Sequence, residues 1–135
     1  MATVLDEVGT YLAGAGLSLT LGTNLFLTEM PATPDVATAL REYGGAAPEL
    51  AFGGVLVLEH IRLQVVCRGI ADDYLGPRAR AEAIYRWFAA RKDASLSGTA
   101  YHGLVPQQAP FPIRRDQLGR WEIGFNVQAD KEPSV

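Results

Sequence analysis

The side chains with the greatest chemical reach in this chain of 135 residues are two histidines, one cysteine and a set of arginines. An imidazole works as a general base or metal ligand when acids or further ligands stand at short spacing. His60 and His102 fall on different predicted strands, and neither has an acid-rich cluster of ligand spacing beside it. Both are read as structural or surface residues, and no metal site is expected. Cys67 stands alone, so an intrachain disulfide and a cysteine-based metal site are both excluded. Its place on the apolar face of a predicted strand makes it a small core residue rather than a nucleophile. Ser18, Ser95 and Ser97 lack the context of a nucleophile elbow. No glycine-rich loop is followed by a lysine, so nucleoside triphosphate binding has no support. The acids show no catalytic pairing along the chain, and pairing in space stays open. No catalytic, cofactor-binding or metal residue is assigned, and no enzyme is expected.

The charges are unevenly placed. Residues 1–61 hold one basic residue, Arg41, against seven acids; residues 62–120 hold ten basic residues against five acids. Solvated faces account for this, but an acidic and a basic surface on one molecule would also suit head-to-tail contact between identical copies. Arg78, Arg80 and Arg86 on one predicted helix are read as a solvated face. The net charge of −3 argues against nucleic-acid binding.

The elements that must position these groups begin with residues 57–69, read as one long central strand. Ile61, Leu63, Val65 and Cys67 alternate with His60, Arg62, Gln64, Val66 and Arg68, the pattern of a half-buried antiparallel strand. A helix capped at Thr3 carries Val4, Leu5, Val8, Tyr11 and Leu12 as its apolar stripe and stops at Gly14 and Gly16. Residues 17–23 read as a short strand or an extended loop. Residues 24–30 and 36–43 read as a hairpin of two strands around a proline-rich turn, and 44–56 as a Gly/Ala-rich loop. A second helix is expected from about Pro77 to Lys92, with Ala83, Ile84, Trp87 and Phe88 facing the core. A polar connection (92–98), a strand (99–107), a loop with a short arm, and a last strand with Trp121, Ile123, Phe125 and Val127 on one face complete the chain. The fold class is α+β, a mostly antiparallel sheet with both helices on one face. Residues 1–129 form the domain and 130–135 a flexible tail. No apolar run is long enough to span a bilayer, and the N-terminus lacks the positive charge of a secretory signal, so a cytosolic product is expected.

The segment GTNLFLTEMPATPDVATALREYGGAAPE resembles the first half of the small minor capsid family of long-tailed bacteriophages and prophages. Gly22, Thr23, Pro31, Pro34, Asp35, Gly44, Gly45 and Pro48 carry the likeness. The C-terminal half is similar too, at Arg115, Asp116, Gly119, Arg120 and Asn126, with Arg114 standing where the family usually has glycine. The resemblance implies a tail terminator (tail completion protein): a ring, typically a hexamer, that caps the tail tube and joins it to the head connector. It implies a virion protein of the tail or neck, made in the bacterial cytoplasm. Its partners would be other copies of itself, the tail tube protein and the head-tail connector, with no cofactor, membrane or specific nucleic-acid binding, though the genome would pass through the ring. Arg62, Arg68, Arg114, Arg115 and Arg120 are the candidate contacts with a neighbouring subunit or the tube, with the loops at 44–56 and 107–119. A head-tail connector, neck or minor capsid component is the nearest alternative. A small ligand-binding or enzymatic α+β domain is the more distant one.

Overall fold

The computed structural model describes residues 3–91 and 93–133. The first helix, α1, covers Val4–Ala13. Thr3 caps it in a reciprocal box: its hydroxyl accepts from the Asp6 amide at 3.4 Å, and the Asp6 carboxylate accepts from the Thr3 amide at 3.2 Å. Such a cap contributes about 1 kcal/mol. Gly9 faces β1 (Leu25–Leu27), where an added Cβ would lie 2.8 Å from Leu27 Cδ2, so the glycine lets the helix approach the sheet.

The sheet continues with β2 (Ala37–Gly44), β3 (Glu49–Leu50), β4 (Leu56–Ala71), β5 (Ala94–Leu96), β6 (Thr99–Pro106), β7 (Phe111–Arg115) and β8 (Arg120–Lys131). Its order is β1-β2-β4-β8-β6-β5, with β3 paired to β4 and β7 to β8. The central pair is β4 and β8, in antiparallel register from Glu59↔Lys131 to Arg68↔Glu122. Alternation decides the two faces. Leu63, Val65 and Cys67 stand beside Val127, Phe125 and Ile123, and all six are fully buried. That face meets Val8 and Leu12 of α1 and Ile84, Trp87 and Phe88 of α2 (Leu75–Ala89) in one core. The α+β class with both helices against one face is what the structure has. Helix α2 lies across β4, β8 and β6. Helix α1 touches β1, β2 and β5, so the sheet curls until both of its short outer strands reach the same helix.

Several expectations change. β1 and β2 are parallel, with Leu25 opposite Thr38, and so are not a hairpin. β1 stops at Leu27 because Thr28 adopts a φ of 78°, and residues 28–36 carry the chain back to begin β2 beside the start of β1. The connection at 92–98 contains β5, which pairs with β6 around Ser97 and Gly98, both at positive φ as a tight hairpin turn requires. The Gly/Ala-rich segment contains β3. Helix α2 begins ahead of Pro77, with the Asp73 carboxylate accepting from the Gly76 amide at 3.1 Å, and Lys92 lies outside the described residues. Ala81 rather than Ala83 faces the core. Asp130 and Lys131 belong to β8 rather than to a tail, and Lys131 is only 3% exposed, 3.6 Å from the buried Glu7 carboxylate. Ser134 and Val135 lie outside the described residues.

Candidate assembly surface

The sheet face turned away from the helices holds the polar residues of β4 and β8, and part of it is covered. The proline-rich segment at 31–35 folds over the far end of this face, and two arginines fasten it. Arg68 donates to the Pro34 carbonyl at 2.7 Å and the Asp35 carbonyl at 3.0 Å. Arg120 donates to the Ala32 carbonyl at 2.8 Å, to Asp35 Oδ1 at 2.9 Å and to Asp116 Oδ2 at 2.8 Å. Asp116 in turn accepts from the amides of Leu118 and Arg120. Burial pushes the Asp116 carboxyl up, but the hydrogen bonds from Arg120 and Leu118 outweigh it and hold the group below the usual carboxylate range. Ala32, Pro34 and Asp35 from the first half thus meet Arg68, Asp116 and Arg120 in a single knot.

Of the five candidate contact arginines, Arg68 and Arg120 are buried in this knot, at 3% and 6% exposure. Their guanidinium groups are bonded to the chain's own backbone and acids. The alternation of the strand put Arg68 on the outer face correctly but carried no sign that residues 31–35 cover it. Arg62 is exposed on the same face. Arg114 is exposed and pairs with the buried Glu122 carboxylate at 2.9 Å. Arg115 pairs with Asp72 and stands over the Trp121 ring at 5.6 Å. These pairings also cross the charge division seen along the chain, since Asp35 of the acidic half neutralises Arg120 of the basic one.

The feature that strand and loop assignments left without residues is an arm. β3 and the first residues of β4 form a hairpin closed by Phe52, Gly53 and Gly54, the glycines at φ of 88° and 82°. Leu50, Phe52, Val55, Leu56 and Val57 are all exposed along it, Phe52 completely. A contiguous exposed apolar run of this kind is unusual on the surface of a monomer. The run of Val55, Leu56, Val57 and Leu58 just before the charged part of β4 was its signal in the sequence. From Glu42 to Glu59 the chain has acids and no basic residue.

At the foot of the arm, His60 lies between two carboxylates. Its Nδ1 is 2.5 Å from Asp130 and its Nε2 2.7 Å from Glu49. The hydrogen bonds to Asp130 and then Glu49 raise its pKa above that of a free imidazole. Those acids stand 70 and 11 residues away, so no local spacing announced them. His102 makes a similar exposed pair with Glu132 at 2.8 Å. Among the described residues no cluster has the makings of a metal site. Burial pushes the Cys67 thiol up to about 11, in keeping with its place in the core.

A family model described as bacteriophage tail terminator protein matches residues 11–133. No curated protein matches the chain. One solved structure, which bears no functional name, superposes with a TM-score of 0.59 at 12% identity, over 97% of this chain and 91% of its own. At that identity the likeness shows a shared fold.

Proposed function

The chain belongs to the bacteriophage tail terminator family, and from that premise we propose that it closes into a ring, a hexamer, on the head-proximal end of the tail tube. It is a structural tail-completion protein of the virion tail, working by contact with other tail and head components. In the proposed assembly one side of the ring covers the last tube subunits and the other, being unlike the first, refuses further tube protein and meets the head connector. Copies made in the bacterial cytoplasm join the tail there, and the genome later passes through the ring without being read.

The observation that carries this reading is the arm at 45–57. An isolated protein has little reason to hold Phe52 wholly in water at the end of a hairpin, whereas an assembly subunit uses such a side chain as an anchor in a neighbour's pocket. Arg62, Arg114 and Arg115 are the remaining charged candidates for the rim of that contact, where exposed charges set partner and register more than affinity.

The test is growth of tail tubes from purified tube protein with and without this chain, followed by electron microscopy and light scattering. Short tubes closed at one end by this protein are the expected result. Tubes of unlimited length, with this protein unbound, would overturn it and favour a neck or connector role.

A further inference from the structure

We propose that His60 is a proton-operated latch that fixes the angle of the arm: doubly protonated, it ties the arm to the sheet, and on losing its Nε2 proton it lets the arm go. The geometry alone sets the requirement. Both ring nitrogens lie within hydrogen-bond distance of a carboxylate oxygen, at 2.5 Å and 2.7 Å. A carboxylate only accepts, so both contacts are hydrogen bonds only when both nitrogens carry hydrogen. The neutral ring has one N–H. One contact must then become a lone pair facing a carboxylate.

The contact that fails is the one to Glu49. Asp130 sits on the central strand β8, is 24% exposed and also accepts from the Gln128 side chain at 3.1 Å. Glu49 is 62% exposed and belongs to a strand of two residues. Among the described residues its bond to His60 is the one side-chain hydrogen bond joining the arm to the rest of the molecule. Without it β3 keeps its two-residue ladder to Leu56 and Leu58, which lies within the arm itself, and the arm is held by the run of the chain from β2 and into β4. The chain also passes close here: a Cβ on Gly45 would lie 1.9 Å from the His60 carbonyl, so the arm starts directly on the latch residue.

The charged groups around the latch are Glu49 from β3, Asp130 from β8, Arg62 two residues along the same face of β4, and Arg41 of β2 opposite Gln64. The cleft beside the arm adds the His102–Glu132 pair, facing Glu49. Two carboxylates against one imidazole favour the charged ring, and the proton lost goes to solvent. The device works whichever partner the arm meets.

The experiment is a pH titration by NMR on the whole chain, reading the His60 ring signals together with the heteronuclear NOE of residues 50–57. In the wild type the NOE of the arm should fall through the same midpoint as His60. While His60 titrates, each pH unit shifts the arm-release equilibrium by at most about tenfold. Glu49→Gln is the discriminating variant. Its amide donates to a neutral Nε2 and its carbonyl accepts from a protonated one, so its arm should stay ordered throughout. His102→Gln should behave as the wild type. An arm whose NOE is unmoved while His60 titrates, or a Glu49→Gln arm that follows the wild type, overturns the proposal.

Discussion

Arg120, at the first position of β8, donates to Asp35 at 2.9 Å across 85 residues of sequence and so ties the two ends of the family-like pattern together. The same guanidinium also holds Asp116 and the Ala32 carbonyl. Removing it leaves Oδ2 of the nearly buried Asp116 carboxylate and the Ala32 carbonyl without the guanidinium that bonds both and neutralises the acid. Arg120→Met should therefore lower stability by roughly 3 kcal/mol, the usual consequence of breaking one side of a buried pair. Denaturant midpoints at constant slope would measure it. Arg114→Ala, though the arginine itself is exposed, strips the buried Glu122 carboxylate of its donor and should also destabilise, by about 1–3 kcal/mol.

Helix α1 is bound to the sheet by a buried acid. Glu7 accepts from the Tyr101 hydroxyl at 2.8 Å and from the Thr99 hydroxyl, with all three residues 2% exposed. Glu7→Ala removes the acceptor of two buried donors and should cost about 2–4 kcal/mol. A thermal melt reads it. A loss below about 0.5 kcal/mol would mean that water replaces the carboxylate, which needs an opening beneath α1.

Acid and base should act at different places. Asp116 titrates below the range of an unfolded aspartate, near ~3.9, so its contribution is full above that value and is lost as pH falls through its lower folded pKa. Asp116→Asn should be less stable than wild type at neutral pH, with the gap closing as pH falls below the ordinary aspartate range and the wild-type carboxyl protonates. His60 runs the other way. Its folded pKa is raised, so its contribution is full below about 6.5 and is lost as pH rises through the folded value. Chemical denaturation at a series of pH values reads both slopes.

Gly124 of β8 pairs with Val66 of β4, and a Cβ there would stand 1.9 Å from the Val65 carbonyl oxygen and 3.1 Å from Ile113. The nearest atom is backbone in the middle of the sheet, so it cannot swing aside. Gly124→Ala should force the two strands apart and destabilise by at least about 1–3 kcal/mol. The check is the yield of soluble protein together with the melting midpoint.

Phe52→Ser separates assembly from folding. The side chain is wholly exposed, so the substitution should leave stability within about 0.5 kcal/mol. Tube capping should weaken markedly if the ring reading holds, and electron microscopy of tube lengths with the variant measures it.

Much of this architecture was legible along the chain because it rests on alternation and local caps. Leu63, Val65 and Cys67 announce a strand face without help from any neighbour, and Thr3 with Asp6 announces a helix start. What stayed hidden depends on residues far apart. The parallel pairing of β1 and β2 follows from how residues 28–36 turn back, which their prolines permit but do not dictate. The burial of Arg68 follows from that same segment lying over the sheet. The latch at His60 needs Glu49 and Asp130, which no window around the histidine contains together with a reason to meet it. The five arginines all looked like surface charge, and only the fold separates the two inside the knot from the three outside it.

The placement of β8 has a consequence for synthesis. It follows the other seven strands in sequence yet lies between β4 and β6. Until its twelve residues have left the ribosome, β4 has no partner along its inner edge, the knot lacks Arg120, and β6 has nothing to join. A nascent chain stopped short of residue 120 cannot complete the sheet, and a truncated product would expose open strand edges rather than a smaller working subunit. Translation itself therefore acts as quality control: a subunit reaches its native shape only after residues 120–131 have been made.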